Sequence, residues 1–419
     1  MLPGDEAGAA EYEVVVVGAG IAGLACATAL HQAGVQRLLL LDKYDGVRSD
    51  GAAVLLYPNG WHALEALGLA HKLKDIYPAC YLEKQTNVET GETKEMLLTG
   101  TVDRPGIGVR VVHRKVLLKV LAEELPQASV RFTSKLLSIE RKQASEKSRS
   151  GFIELKLDDG SVIRTKVLIG CDGVHSVVAQ WLGLSQPADS QRSIVRGLAK
   201  FEKGHDFSNE LQEYVFKDKR GAYVPANDKE LYWYIAHDTD PKDLEITMHP
   251  RLILKQAMGR LAEGFPDNFK HVVSCSDLNT VAWTHMLYRT PWGLFLGWPQ
   301  RNLITVAGDA FHPIASDLSL GSCMALEDAV ILARYVSSYM KNQHGLKDAI
   351  EAYVKQRRWR VALLAAWSFL SVWAHHSWSG LGFLGWPVRF LWKKVYNWFV
   401  VPRIKETKNY DCRNLNSGG

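Results

Sequence analysis

The sequence predicts an α/β fold: a parallel sheet carrying helices, an inserted, mainly β unit, and a helical segment at the end. Three segments predict it. Val14-Val15-Val16-Val17 runs into Gly18-Ala19-Gly20-Ile21-Ala22-Gly23. Lys166-Val167-Leu168-Ile169-Gly170 runs into Cys171-Asp172-Gly173. Leu303-Ile304-Thr305-Val306-Ala307 runs into Gly308-Asp309-Ala310-Phe311-His312-Pro313. Each begins as the short apolar run of a strand covered on both faces, as strands of parallel sheets are. Each ends in a glycine-containing turn.

The first segment opens a nucleotide-binding unit. Gly18, Gly20 and Gly23 stand as G-x-G-x-x-G. The first glycine permits the tight turn, the second lets backbone approach a pyrophosphate, and the third lets helix pack on strand. Residues 24–33 read as the helix, with Gly34 as its stop. Residues 38–41 are four leucines, read as the next strand, and Asp42 ends it, 19 residues beyond Gly23. A carboxylate there accepts hydrogen bonds from an adenosine ribose and repels a 2′-phosphate, which disfavours NADP in this slot. Ala22 in the glycine turn and Lys43 beside the acid complete the candidate contacts. The Gly308-Asp309 segment is a second nucleotide signal. A strand ending in Gly-Asp and opening onto a helix, here about 321–340, brings a carboxylate and backbone N–H groups to one point.

Between these signals, residues 48–59 read as a connection and 60–73 as helix. Residues 81–84 and 95–98 read as strands, and 115–124 as a helix. Residues 152–157 alternate apolar and polar into an Asp159-Gly160 turn, which marks a hairpin. From about 186 to 300 the chain is strand-rich and aromatic, with one helix near 250–264. The expected units are 10–75, 105–185 and 300–345 together, 76–104 and 186–299 together, and 346–419 as a helical, Trp-rich basic tail. Tyr223, Tyr232, Trp233 and Tyr234 read either as an apolar pocket wall or as ordinary sheet core.

Composition bounds the rest. A 419-residue chain, 47% apolar and 23% charged, is globular and long enough for two or three domains. Its six cysteines lack C-x-x-C or metal-ligand spacing, which points to reduced thiols and an intracellular home, with no metal expected. The acidic start, Met1-Leu2-Pro3-Gly4-Asp5-Glu6, resembles neither a signal peptide nor a typical transit peptide. The expected location is therefore cytoplasmic or peripheral to a membrane. The net charge of +5 belongs to the tail, because residues 355–419 hold eleven Lys or Arg and two acids. Nucleic acid is a poor partner for such a chain.

The tail is unusual in a second way. Residues 361–388 contain no Asp, Glu, Lys or Arg, and seven of the thirteen tryptophans fall between Trp359 and Trp398. Basic clusters flank the run. A membrane span needs about 20 residues, but His375-His376, Gly380, Gly382, Gly385 and Pro387 argue against one clean span. Three readings stand: helices packed on the protein or in a homodimer interface, a segment lying in the bilayer interface through 361–400, and a true span.

In their order, the three motifs resemble those of the single-component, FAD-dependent aromatic-ring monooxygenases. This family of flavoprotein hydroxylases includes para-hydroxybenzoate hydroxylase. The look is most of all that of plant monooxygenases resembling salicylate hydroxylase and zeaxanthin epoxidase. Smaller matches link the motifs: Tyr57-Pro58-Asn59, Leu67-Gly68-Leu69, Arg110 with His113-Arg114, and Leu326-Glu327-Asp328. The resemblance covers about residues 12–415.

The resemblance implies a Rossmann-like FAD-binding domain of the para-hydroxybenzoate hydroxylase kind, with an inserted β substrate domain. It implies FAD as cofactor, NAD(P)H and O2 as co-substrates, and a hydrophobic or aromatic small molecule as substrate. In the implied reaction NAD(P)H reduces FAD, and O2 adds to give a flavin C4a-hydroperoxide that hydroxylates or epoxidises the substrate. Few side chains catalyse such chemistry, and none is assigned. By position, Gly18, Gly20 and Gly23 would cradle the FAD pyrophosphate and Asp42 the adenosine ribose. Arg114, and more weakly Arg48, would contact the ribityl or phosphates. Asp172-Gly173 would serve the pyrophosphate region, Asp309 the ribityl chain, and Gly321 the isoalloxazine. Blander readings stand beside these: Asp172 as the cap of a helix starting near Ser176, Arg114 as a surface arginine, and His312 as structural.

The family pattern H-P-x-x-P-x-x-G-Q-G has Ser316, Ser319 and Leu320 here at its second proline, first glycine and glutamine. A serine cannot take positive φ as cheaply as glycine. The family's arginine three residues after the serine of the second motif is Ala179. These departures motivate two competing readings: a flavin-fold protein with impaired turnover acting in ligand binding or regulation, and another FAD-dependent reductase or oxidase.

Overall fold

The computed structural model describes residues 10–48, 51–99, 107–143, 151–240, 249–314, 319–341, 345–376, 398 and 401–413. The valine strand, Ala10–Val17, lies between two parallel neighbours, Val162–Gly170 and Leu38–Leu41. Val162–Gly170 is in turn parallel to Ile304–Val306, and Leu38–Leu41 to Val130–Arg131. Val17 is level with Gly170, and Gly170 with Val306. The three glycine turns therefore leave one edge of the sheet side by side. A hairpin of Leu136–Lys142 and Phe152–Leu157 extends this sheet antiparallel onto Val162–Gly170.

Helix Ile21–Gln32 is buried from Ile21 to Leu30, so it is apolar all round and not striped. Helices Gly321–Lys341 and Arg114–Ala122 pack against it, and the Thr28 hydroxyl donates to the Leu121 carbonyl at 3.0 Å. Gly23 makes the close approach possible: a Cβ there would sit 1.7 Å from the Gly18 carbonyl oxygen.

A second sheet has the strand order Ala282–Tyr288, Ala188–Lys200, Glu230–Asp238, Lys219–Asn227, Leu211–Phe216, Leu82–Asn87, Thr93–Leu97. All its pairings are antiparallel except that of Leu211–Phe216 with Leu82–Asn87. Strand alternation sorts its aromatics. Tyr223 and Trp233 pack in a core with helices Pro250–Gln256 and Asp267–Ser274, while Tyr232 and Tyr234 join the core of the first sheet.

Three local readings need correction. The helix expected near 250–264 is Pro250–Gln256 passing into a π turn, Ala257–Leu261, with a separate helix at Asp267–Ser274. Gly264, at φ +88°, and Pro266 break the chain between them. The helix at 60–73 is two, Pro58–Ala66 and His71–Lys74, parted at Gly68 with φ +72°. The 48–59 connection contains a strand, Ala53–Leu56, paired antiparallel with Arg110–His113.

A largely buried ionic network ties the third glycine turn to the helices behind it. Asp328 accepts from the Gly308 backbone N–H (2.8 Å), His312 Nε2 (2.6 Å) and Arg357 Nε (2.6 Å). Glu327 accepts from Arg357 (2.6 Å), from Arg360 through two nitrogens (2.8 and 2.9 Å) and from Asn59 (2.7 Å). Arg357 and Arg360 belong to helix Leu346–His376. Two guanidiniums thus face two carboxylates, which buried charge requires. Burial alone would raise the Asp328 carboxyl, but His312 and Arg357 outweigh it and hold it down at about 2. Burial likewise opposes Glu327, which Arg357 and Arg360 hold below the usual range.

Arg357→Met should therefore cost about 3–5 kcal/mol in urea unfolding, because it removes the one guanidinium shared by two buried carboxylates. A loss below about 1 kcal/mol would show that the guanidinium does not hold the network. The acid limb has a defined sign. A depressed carboxyl stabilises fully above its unfolded pKa of about 3.9 and loses that contribution as pH falls toward its folded value. Asp328→Asn should flatten the stability profile between about pH 4 and pH 2.

Candidate functional site

A cleft of about 720 Å³ opens where the three turns leave the sheet. Gly18, Gly20, Ala22, Asp42, Lys43, Arg48, Arg114, Asp172, Gly173, Asp309 and Gly321 all line it. Gly23 lies behind the lining, where its lack of a side chain serves packing. Segments some 290 residues apart are in contact here: a Cβ on Gly308 would meet the Ala22 Cβ at 2.7 Å.

The glycine turn has distinct demands at each position. Gly18 takes φ +102°, and a Cβ there would strike the Cys171 carbonyl oxygen at 2.4 Å. Gly20 is extended, at φ −80° and ψ −171°, and caps helix Ile21–Gln32. A Cβ on Gly20 would meet no protein atom within 4 Å, so it would project into cleft space. Asp42 fixes the turn from the neighbouring strand, accepting from Ala19 N (2.5 Å) and Tyr44 N (2.9 Å).

Asp172 does cap a helix. One oxygen accepts from the Val177 N–H at 2.7 Å and the other from the Ser176 hydroxyl at 2.5 Å, while Ser176 Oγ accepts from Ala179 N at 2.8 Å. Burial raises the Asp172 carboxyl, and the hydroxyl and N–H donors partly offset it. Asp172 also lines the cleft, so capping and cleft positions coexist in one residue.

Arg114 begins helix Arg114–Ala122 and donates to the Arg48 carbonyl at 3.1 Å. Arg48 stacks on the Tyr44 ring at 4.0 Å. Asp309 is exposed to the cleft. The protein packed around it raises its carboxyl by desolvation, against the pull of His312 and Arg114. Gly321 starts its helix with Asp309 Oδ1 3.9 Å from where a Cβ would be. His312 is fully buried on Asp328 and does not line the cleft, which supports the structural reading.

Sequence reading missed part of the lining. Tyr44, Lys135, His175, Arg196, Trp283 and Ser322 also face the cleft. Arg196 carried a usable signal, a charge in the middle of the largely buried strand Ala188–Lys200. Counting both groups, five cations (Lys43, Arg48, Arg114, Lys135, Arg196) face three carboxylates (Asp42, Asp172, Asp309). The lining therefore carries a formal excess of positive charge, which favours an anionic ligand.

Comparison with known proteins agrees with this geometry. A family described as FAD binding domain matches residues 11–368, a span that contains all three glycine turns. Monooxygenase 2 of Arabidopsis thaliana is 33% identical over 363 residues, 83% of this chain and 86% of that protein. Monooxygenase 1 of the same plant is 32% identical over 379 residues, 86% of this chain and 90% of that protein. Klebsiella pneumoniae HpxO, solved with FAD and uric acid, has a similar fold, with a TM-score of 0.77 at 20% identity over 95% of this chain and 96% of that one. With its glycine cradle, its net-positive cleft and these relatives, the chain belongs to the family of FAD-dependent monooxygenases.

Proposed function

We propose that the protein uses NAD(P)H and O2 to hydroxylate or epoxidise a hydrophobic or aromatic small molecule. The observation that carries this reading is that one cleft gathers the glycine cradle, Asp42, Arg114, Asp309 and Gly321 together with Arg196, Ala282 and Trp283 of the second sheet. That set of groups suits FAD, and bound FAD supplies the redox and oxygen-activating chemistry. Backbone N–H groups at Gly18 to Gly23 would hold the pyrophosphate, with Asp42 on the ribose. Arg114, Arg48 and Lys43 would balance its charge. Asp172 and Gly173 would border the pyrophosphate region, and Asp309 would take ribityl hydroxyls.

The substrate reading rests on one cross-strand row of the second sheet. Glu213, Ala222, Tyr234, Arg196 and Ala282 are level on adjacent strands and so share a face. Arg196 and Ala282 line the cleft. Ala222, Tyr232 and Tyr234 are buried in the core behind them, and the small Ala282 beside Arg196 and Trp283 leaves room for a flat ring. Glu213 is a buried polar anchor, bonded to Gln85 and 3.5 Å from Arg220. A pocket of this kind excludes water while fixing orientation through few polar groups.

The impaired-turnover reading is favoured by one residue. Ser319 sits at φ +51°, in the left-handed region where the family pattern has glycine. Leu320 is buried, and Ser316 lies outside the described residues.

Two variants and one isotope experiment test these readings. Gly20→Ala should fold normally, because a Cβ there meets no protein atom within 4 Å, yet weaken FAD binding at least ~10-fold (about 1.4 kcal/mol). Unchanged flavin content after purification would remove the cradle from the argument. Ser319→Gly should stabilise the fold by about 1 kcal/mol, since a non-glycine residue pays that to enter the left-handed region. It should also raise product formed per NAD(P)H consumed if the loop impairs coupling. With candidate aromatics, label from ¹⁸O₂ should enter the product. Flavin that NAD(P)H cannot reduce with any aromatic added would favour the ligand-binding reading. Reduction without label incorporation would favour a reductase or oxidase.

A further inference from the structure

We propose that helix Pro291–Leu296 and the adjoining turns of helix Leu346–His376 form a docking face for the interface of an anionic lipid bilayer. Trp292 is 71% exposed and Leu296 82% exposed, one helical turn apart. Phe295 and Trp298 are exposed beside them. On the second helix, Trp359 is 58% exposed, with exposed Leu363 one turn further on. Phe295 meets Trp359 edge to face at 4.7 Å, so the two helices present one continuous apolar patch. Soluble surfaces rarely leave such a patch without a partner.

The chemistry of the patch selects the partner. Tryptophan favours the bilayer interface, where its ring is buried among acyl chains and its N–H stays near headgroups. Cations stand at the rim: Arg358 stacks on Trp298 at 4.8 Å, and exposed Lys355 lies one turn before Trp359. The chain that follows, 361–405, contains no Asp or Glu. This distribution complements anionic headgroups. Among the described residues no helix is long and apolar enough to cross a membrane, so the face would rest on the bilayer.

The docking helix is joined to the cofactor cleft. It follows Arg289, whose backbone N–H donates to the Pro313 carbonyl at 3.0 Å. The Arg289 guanidinium donates to the carbonyls of Ala310 (3.3 Å) and Phe311 (3.1 Å). One buried arginine thus connects the apolar face to the turn that carries Asp309.

The test is co-sedimentation of the full-length, flavin-loaded protein with vesicles of phosphatidylcholine, with and without phosphatidylglycerol. Binding should be stronger to the anionic vesicles and should fall with added salt. Trp292→Ser combined with Leu296→Ser should weaken it at least ~10-fold, and Lys355→Gln roughly fivefold. Flavin absorbance must stay unchanged in both variants, which shows that the fold is kept. The proposal is overturned if the native protein leaves both vesicle types in the supernatant, or if the double variant binds as the native protein does. It is equally overturned if sedimentation velocity without lipid shows a dimer that the double variant dissolves, which would assign the face to a second copy.

Discussion

Asp328 is the constraint around which the cofactor side of this molecule is organised. One carboxylate, without access to water, accepts from a backbone N–H at Gly308, from His312 and from Arg357. The first two donors belong to the turn that presents Asp309, and the third to a helix that begins after it. Gly308 at φ +60° cannot be exchanged for a residue with a side chain without strain and a clash on Ala22. The turn is therefore fixed from below by charge and from the side by close packing, and Asp309 inherits its position from both.

The same logic explains why the cleft is polar on one wall and mixed on the other. The first sheet offers turns, and turns offer N–H groups and short acids. The second sheet offers a face, and a face offers alternating side chains. Between them lies space bounded by backbone donors on one side and by Arg196, Trp283 and Ala282 on the other. A dinucleotide needs the first kind of wall, and a small apolar molecule needs the second.

The cofactor half was legible because glycine spacing encodes backbone geometry directly. Gly18, Gly23 and Gly308 each answer to a positive φ or a Cβ clash that the chain has to avoid. Strand alternation in the second sheet was legible too. Its register was not, so neither the row from Glu213 to Ala282 nor which face of the sheet turns toward the cleft could be read in advance. Arg357 and Arg360 looked like part of a basic cluster, since their partners, Glu327 and Asp328, lie some 30 residues upstream with no periodic signal to connect them. The short elements, Ala53–Leu56 and Asp267–Ser274, escaped because four or eight residues are too few for a period to emerge.

One topological detail has a mechanical consequence. Strands Leu82–Asn87 and Thr93–Leu97 reach the second sheet on one excursion of the chain, and the remaining strands on another. Four chain crossings therefore join the two sheets. The face that carries Arg196 and Ala282 is thereby held against the glycine turns by two separate excursions of chain and by an apolar core common to both sheets.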